Sequence, residues 1–104
     1  MSERKILYSP GYGAGWTTWN YNDDVRRYML TYQPIIDVLE RGESVSEALL
    51  EQLQRECKEK FGEEYVCVLG ADDLKVKTVQ GRVRIHEYDG SESVEEEGAY
   101  DGWM

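Results

Sequence analysis

The residues best suited to chemistry in this sequence lie in a segment that alternates glycines with large aromatic side chains, residues 9–21. Gly11, Gly13 and Gly15 stand at alternate positions, which allows φ above zero and lets another group approach the main chain closely. Tyrosine and tryptophan rings in the same segment offer flat, rigid contact surfaces. We call residues 9–21 the glycine and aromatic segment, and its composition indicates a binding surface.

Phosphate binding is one chemistry that this segment could perform. A strand, a glycine-rich loop and a helix in that order bind phosphates, because loop N–H groups and a helix N-terminus both present positive dipoles. The match is partial, since the segment lacks the third-glycine spacing of the dinucleotide fingerprint and has no Gly-Lys-Ser/Thr. A conventional nucleotide-cofactor enzyme is therefore not favoured, and we predict no cofactor.

Two interpretations of the glycine and aromatic segment remain open. In one, the glycines let a tight loop cross the edge of the sheet while Trp16 and Trp19 cover the core. In the other, rings of the segment stack on the planar group of a small ligand, hydroxyl and amide side chains hydrogen-bond to it, and Arg26 or Arg27 neutralises its charge. The rings available for stacking are Tyr12, Trp16, Trp19 and Tyr21. The predicted ligand-binding residues are Gly11, Tyr12, Gly13, Gly15, Trp16, Thr17, Thr18, Trp19, Asn20 and Arg26.

No catalytic or metal-binding constellation can be named from the residue types. His86 is the single histidine, so a metal site of several histidines cannot be built, and no serine or cysteine is placed beside it for a triad. Cys57 and Cys67 are predicted to be small buried hydrophobes. The closely spaced oxygens of residues 89–97 do not follow the calcium spacing of an EF-hand. These observations favour a protein that is not an enzyme.

The formal net charge of -9 is concentrated at the C-terminus. Residues 87–104 carry seven acidic residues and no Lys or Arg, whereas the preceding part of the chain is nearly balanced. Such a segment repels nucleic acid and membrane phosphates, so duplex nucleic acid is not an expected partner. Basic side chains on two predicted strands form a stripe that could bind an anion or an acidic partner, be a solvated face, or be covered by the acidic tail. The stripe consists of Lys75, Lys77, Arg82 and Arg84.

Two helices are predicted between the glycine and aromatic segment and residue 62. Apolar residues at spacings of three and four predict a helix over 23–41, and Pro34 predicts a kink or two helical pieces near Tyr32. Ser44-Val45-Ser46-Glu47 fits a capping box and begins a second helix over 45–61, which Gly62 ends.

Four strands and a tail complete the prediction. Strands are expected over 5–9 and 65–69, the latter buried on both faces, and over 74–79 and 82–88, joined as a hairpin by Gln80-Gly81. From Asp89 onward no periodicity survives, which predicts a mobile acidic tail unless Tyr100 and Trp103 dock back onto the fold.

These elements predict an α+β fold of one small domain, in the order β-α-α-β-β-β. We expect an antiparallel or mixed sheet with two helices on one face, with the domain over 1–88 and a flexible acidic tail over 89–104. No apolar run approaches the roughly 20 residues that a membrane span needs, and no signal peptide is recognised, so a cytoplasmic protein with no membrane partner is expected. A deep cleft in so short a chain would need a loop or a second subunit, which makes a homo-oligomer one arrangement that the sequence allows.

Two short motifs, SPGYGAGW at 9–16 and EYDGSES at 87–93, resemble a group of short, uncharacterised bacteriophage and prophage proteins. The resemblance spans nearly the whole chain and brings no assigned activity or residue roles. It implies an accessory protein, expected in the host cytoplasm, that binds and inactivates a host component.

Two hypotheses from different classes follow. The first is an anti-defence type of binding protein that sequesters a small anionic or nucleotide-like ligand in its glycine and aromatic segment. The second is an inhibitor of a host protein, which would use its acidic tail or the aromatic residues to occupy a basic surface. A hydrolase or transferase comes third, because no nucleophile and base can be paired.

Overall fold

A computed structural model describes residues 3–11, 13, 15–80 and 83–96. Two short 3-10 helices, Thr17–Trp19 and Leu69–Asp73, accompany three α-helices and four strands. The α-helices are α1 (Asp23–Leu30), α2 (Gln33–Glu40) and α3 (Glu47–Phe61). The strands are β1 (Glu3–Tyr8), β2 (Lys75–Gln80), β3 (Val83–Tyr88) and β4 (Ser91–Glu96). The predicted α+β class and the order β-α-α-β-β-β are confirmed, with the first predicted helix in two pieces.

The four strands form two antiparallel ribbons rather than one sheet. β1 pairs with β2, and Leu7 lies opposite Val76. β3 pairs with β4, and His86 lies opposite Ser93. The predicted hairpin between 74–79 and 82–88 is therefore wrong, since each of these strands takes a different partner.

The strand over 91–96 corrects the prediction that a mobile tail begins at residue 89. β3 and β4 are joined at Asp89 and Gly90, which both have positive φ, 49° and 84°. Asp-Gly is a preferred pair for the two-residue turn whose twist matches a hairpin. The turn signal therefore lay at 89–90, and the predicted domain boundary at residue 88 passes between two paired strands. Residues 97–104, with Tyr100 and Trp103, lie outside the described residues.

The predicted strand over 65–69 is also wrong. Val66 and Cys67 are buried, but residues 65–68 make no strand ladder and lead into the second 3-10 helix. The side chain of Asn20 takes the place of a neighbouring strand: its Oδ1 accepts a hydrogen bond from Cys67 N at 2.8 Å, and its Nδ2 donates to Cys67 O at 3.1 Å. The backbone polar groups of Cys67 are thus satisfied without a ladder.

Local signals explain where the helices begin and end. Tyr32 is extended and precedes α2, in whose first turn Pro34 lies, so the chain breaks near Tyr32 as predicted. The helix α3 begins two residues later than predicted, because Ser46 and not Ser44 is the N-cap and accepts a hydrogen bond from Leu49 N. Gly62 ends α3 in the left-handed conformation at φ 72°, as predicted.

The buried apolar residues form two clusters on opposite sides of β1. Leu7 belongs to the larger cluster, which packs α1, α2 and α3 together and includes Trp16, Met29 and Cys57. Ile6 belongs to the smaller cluster, with Leu30, Val79 and Val83. Neighbouring side chains of a strand point to opposite faces, so β1 joins the two clusters. Both cysteines are buried, as predicted.

In the part of the chain that the structure describes, no helix combines the length and the apolar character needed to cross a membrane.

Candidate functional site

Glu92 holds the glycine and aromatic segment in place. Its side chain is buried, with 2% of its surface exposed. One carboxylate oxygen, Oε1, accepts a hydrogen bond from Ser9 N at 2.9 Å. The other, Oε2, accepts from Trp16 N at 2.7 Å, Thr18 N at 3.1 Å and Thr18 Oγ1 at 2.6 Å. A carboxylate that accepts several hydrogen bonds from fixed donors can be buried without a cationic partner.

Two backbone hydrogen bonds also join the glycine and aromatic segment to β4 and to the β3–β4 turn. Glu92 N donates to Ser9 O at 2.7 Å, and Gly13 N donates to Asp89 O at 2.7 Å. A Cβ atom at Gly15 would lie 2.7 Å from both Thr18 Oγ1 and Trp19 Cδ1, so a larger residue at this position would force these side chains to move. Gly11 and Gly15 therefore allow side chains of the same chain to approach the backbone: a Cβ atom at Gly11 would overlap Asp73 Oδ2, and one at Gly15 would lie 3.1 Å from Glu92 Oε2. Gly13 instead has a positive φ of 103°, and nothing lies within 4 Å of a Cβ atom there.

The two features that could have bound a phosphate are thus used internally. The backbone N–H groups of Ser9, Trp16 and Thr18 donate to Glu92. At the N-terminus of α1, Asn22 Oδ1 accepts from Asp24 N and Val25 N, and the first turn carries Asp23 and Asp24. Both carboxylates oppose the binding of another anion at this helix end.

Most polar side chains that were predicted to bind a ligand also have internal partners. Thr18 binds Glu92, and Asn20 binds Cys67. The Arg26 guanidinium donates to two backbone carbonyls, Asn20 O and Thr18 O. The side chain of Thr17 is fully buried. Arg27 lies 3.5 Å from Asp24 in an exposed ion pair.

The tryptophans of the segment have different environments. Trp16 is fully buried in the larger cluster, and its Nε1 donates to Met29 O at 3.1 Å. This ring covers the core, as the first interpretation of the segment proposed. Trp19 is 36% exposed, and its Nε1 donates to Glu87 Oε2 at 3.2 Å. The same Glu87 oxygen accepts from Gly90 N at 2.6 Å, so the β3–β4 turn orients the Trp19 ring.

Beside Trp19 lies a concave groove of about 320 Å³, which we call the aromatic groove. Its rings are Trp19, Tyr21 and Tyr65, the latter two 98% and 71% exposed. The remaining lining residues are Asn20, Asn22, Val25 and Glu63. A groove with apolar ring walls and a few polar groups is the usual form of a small-molecule site.

Glu63 is the one charged side chain among the described residues that line the aromatic groove. Its Oε1 accepts a hydrogen bond from Asn22 Nδ2 at 2.8 Å. Sequence reasoning missed both Glu63 and Tyr65, because the groove joins residues on either side of α3 that lie more than 40 positions apart. Glu63 carried no periodic signal, and Tyr65 was assigned to the predicted strand over 65–69, whose side chains were expected to be buried.

Several other predicted positions lie away from the aromatic groove. His86 Nε2 contacts Glu95 Oε1 across β3 and β4, at exposed positions. Lys75 and Lys77 belong to one ribbon and Arg84 to the other, which divides the predicted basic stripe. Tyr12 and Arg82 lie outside the described residues. Within the described ranges, no group of three or more His, Cys, Asp or Glu side chains could hold a metal ion.

A partly buried polar cluster joins α1 to α3 on another side of the molecule. Tyr28 donates a hydrogen bond to Glu56, which also accepts from Gln52 Nε2 at 3.0 Å. The hydrogen bond from Tyr28 lowers the pKa of Glu56. Burial and the Glu56 carboxylate raise the pKa of Tyr28. Burial and the charge of Glu56 raise the pKa of Tyr32 to about 12. The phenols thus stay neutral beside an ionised carboxylate.

Comparison of the chain with family models, with curated proteins and with solved structures gave no match.

Proposed function

We propose that this protein is a non-enzymatic binding protein that holds the planar ring of a small ligand in the aromatic groove and thereby sequesters it. The observation that carries this proposal is the position of three exposed rings, Trp19, Tyr21 and Tyr65, around one groove. Large exposed rings gathered around a concavity mark a contact surface more specifically than rings scattered singly.

Hydrogen bonds that hold residues of the aromatic groove support this function. Asn20 joins the glycine and aromatic segment to Cys67, and Asn22 joins the start of α1 to Glu63. Glu87 orients Trp19 from the β3–β4 turn. Because Trp19 and Glu63 are already positioned, a ligand would lose little free energy in ordering these two side chains.

The proposed ligand is nucleotide-like in its ring. Aromatic side chains bind bases by stacking, which contributes about 1–3 kcal/mol per base. The anti-defence role and the phage context that the sequence motifs imply belong to this proposal and depend on the resemblance of those motifs.

Isothermal titration with a panel of nucleosides and nucleotides tests the proposal. We expect binding by the wild-type protein and a loss of about tenfold or more in affinity for Trp19→Ala and Tyr65→Ala. Tyr88→Ala is the matched control, because Tyr88 is 75% exposed and is not part of the groove lining. If no ring compound binds, the proposal is wrong, and the exposed rings are better explained as a surface for a host protein.

A further inference from the structure

We propose that the aromatic groove selects a base that presents two neighbouring N–H donors to Glu63, as the guanine edge does, and that it recognises the nucleoside part without its phosphates. This inference rests on the proposed function and names the ligand class of the same site.

The first step concerns the carboxylate. Asn22 Nδ2 donates to Glu63 Oε1 at 2.8 Å and so orients the side chain in the groove lining. Each carboxylate oxygen can accept about two hydrogen bonds, so Oε1 retains capacity. No described residue donates to Oε2. An ionised carboxylate only accepts hydrogen bonds, so the complementary ligand edge must consist of donors.

The second step compares the edges of the common bases. Guanine carries N1–H and an exocyclic amino group side by side, and two adjacent donors match the two oxygens of a carboxylate. Adenine and cytosine each place an acceptor nitrogen beside the amino group, which would face a carboxylate oxygen and repel it. Uracil has one N–H between two carbonyl acceptors. The guanine edge therefore fits Glu63 best.

The third step concerns the phosphates. Glu92 accepts hydrogen bonds from the N–H groups of Ser9, Trp16 and Thr18, and the first turn of α1 carries two aspartates, Asp23 and Asp24. Arg26 is directed at backbone carbonyls and Arg27 at Asp24. Neither Arg26 nor Arg27 is therefore directed at a position where a ligand phosphate would be bound. The net charge of the whole chain, -9, also disfavours an added negative charge.

Isothermal titration with guanosine, inosine, adenosine and guanosine monophosphate tests the inference. We expect guanosine to bind the wild-type protein about tenfold more tightly than adenosine, as one charge-assisted hydrogen bond implies. Inosine lacks the exocyclic amino group and should fall between them. Guanosine monophosphate should bind no more tightly than guanosine.

The variant Glu63→Gln should bind guanosine and adenosine with affinities within about threefold of each other, because the amide offers one acceptor and adds donors. Glu64→Gln is the matched control, since Glu64 is exposed, pairs with Lys58 at 3.4 Å and lies outside the groove lining. It should keep the wild-type preference.

The outcomes separate the two proposals. Equal binding of guanosine and adenosine by the wild type, or an unchanged preference in Glu63→Gln, overturns the selectivity and leaves ring binding intact. Tenfold tighter binding of the monophosphate overturns the exclusion of phosphates. Binding of no ring compound overturns the proposed function itself. The comparison of inosine with guanosine uses only the wild-type protein. It therefore tests recognition of the exocyclic amino group even if Glu63→Gln does not fold.

Discussion

Among single residues, Glu92 has the most extensive role in shaping the glycine and aromatic segment. Its two oxygens receive donors from Ser9, Trp16 and Thr18, and its own N–H binds Ser9 O. The same contacts fix the backbone at Thr18, the residue before Trp19 of the aromatic groove. One buried side chain thus links the stability of β4 to the shape of the proposed site.

Replacement of this carboxylate by an amide tests that role. In Glu92→Gln the amide nitrogen would face N–H donors, so we expect the free energy of unfolding to fall by about 2–3 kcal/mol. Urea denaturation followed by tryptophan fluorescence measures the change. Glu96→Gln, at an exposed position of the same strand, should change stability by less than about 0.5 kcal/mol. Equal effects of the two variants would contradict the role assigned to Glu92.

The phenols of Tyr28 and Tyr32 predict how stability changes in alkali. Their pKa values are raised in the folded protein, so folding favours the neutral form. This contribution is complete below the unfolded value of about 10 and is lost as the pH rises towards the folded value, about 12 for Tyr32. We therefore expect the urea midpoint to fall between pH 10 and 12.

Two tyrosine variants identify the source of that loss. Tyr32→Phe removes one of the ionising groups and should make the alkaline decline shallower. Tyr21→Phe changes a ring that is 98% exposed, so its decline should follow the wild type. Parallel declines in all three proteins would assign the pH dependence to other groups.

Among the elements, the helices follow from residues close to them in sequence. Asn22 caps α1, Ser46 caps α3 and Gly62 ends α3. Their spans were therefore predictable to within a few residues. The spans of β1, β2 and β3 were also predicted to within two residues. Their pairing was not, because a ladder needs a partner that local pattern does not name. Asn20 even supplies that partner to Cys67 from a loop.

The N-cap of α3 provides a test at this level. Ser46→Ala removes the acceptor for Leu49 N and should lower the free energy of unfolding by about 1 kcal/mol. Ser44→Ala changes an exposed serine two positions away and should have an effect below about 0.5 kcal/mol. Thermal unfolding followed by circular dichroism compares the two variants. A larger loss of stability in Ser44→Ala would indicate that Ser44 is the N-cap, as the sequence predicted.

In the whole molecule, β4 connects the N-terminal loop to the C-terminal ribbon. It pairs with β3 and, through Glu92, binds the segment that follows β1. An isolated two-stranded ribbon is marginally stable in water, so the two ribbons depend on the clusters on either side of β1. A domain that ended at residue 88 would lack β4 and the Glu92 side chain that holds the glycine and aromatic segment.

Truncation tests this dependence. A chain that ends at residue 90 loses β4 and Glu92, and we expect it to be unfolded in circular dichroism and in proton NMR. A chain that ends at residue 96 keeps every contact of β4 described above and should remain folded. A folded chain ending at residue 90 with wild-type stability would show that β4 is dispensable and would support the predicted domain over 1–88.

Local sequence patterns predict the fold class, the helix spans, the break near Tyr32 and the close approach at Gly11 and Gly15. These depend on residues within a few positions of one another, where backbone sterics and side-chain periodicity act directly. Tertiary packing sets which strands pair, which tryptophan is buried and which side chains approach the glycines. Glu92 and Trp16 lie 76 positions apart, and contacts at that separation depend on how the whole chain packs. The same packing brings Trp19 and Tyr65 to one groove, which local pattern could not reveal.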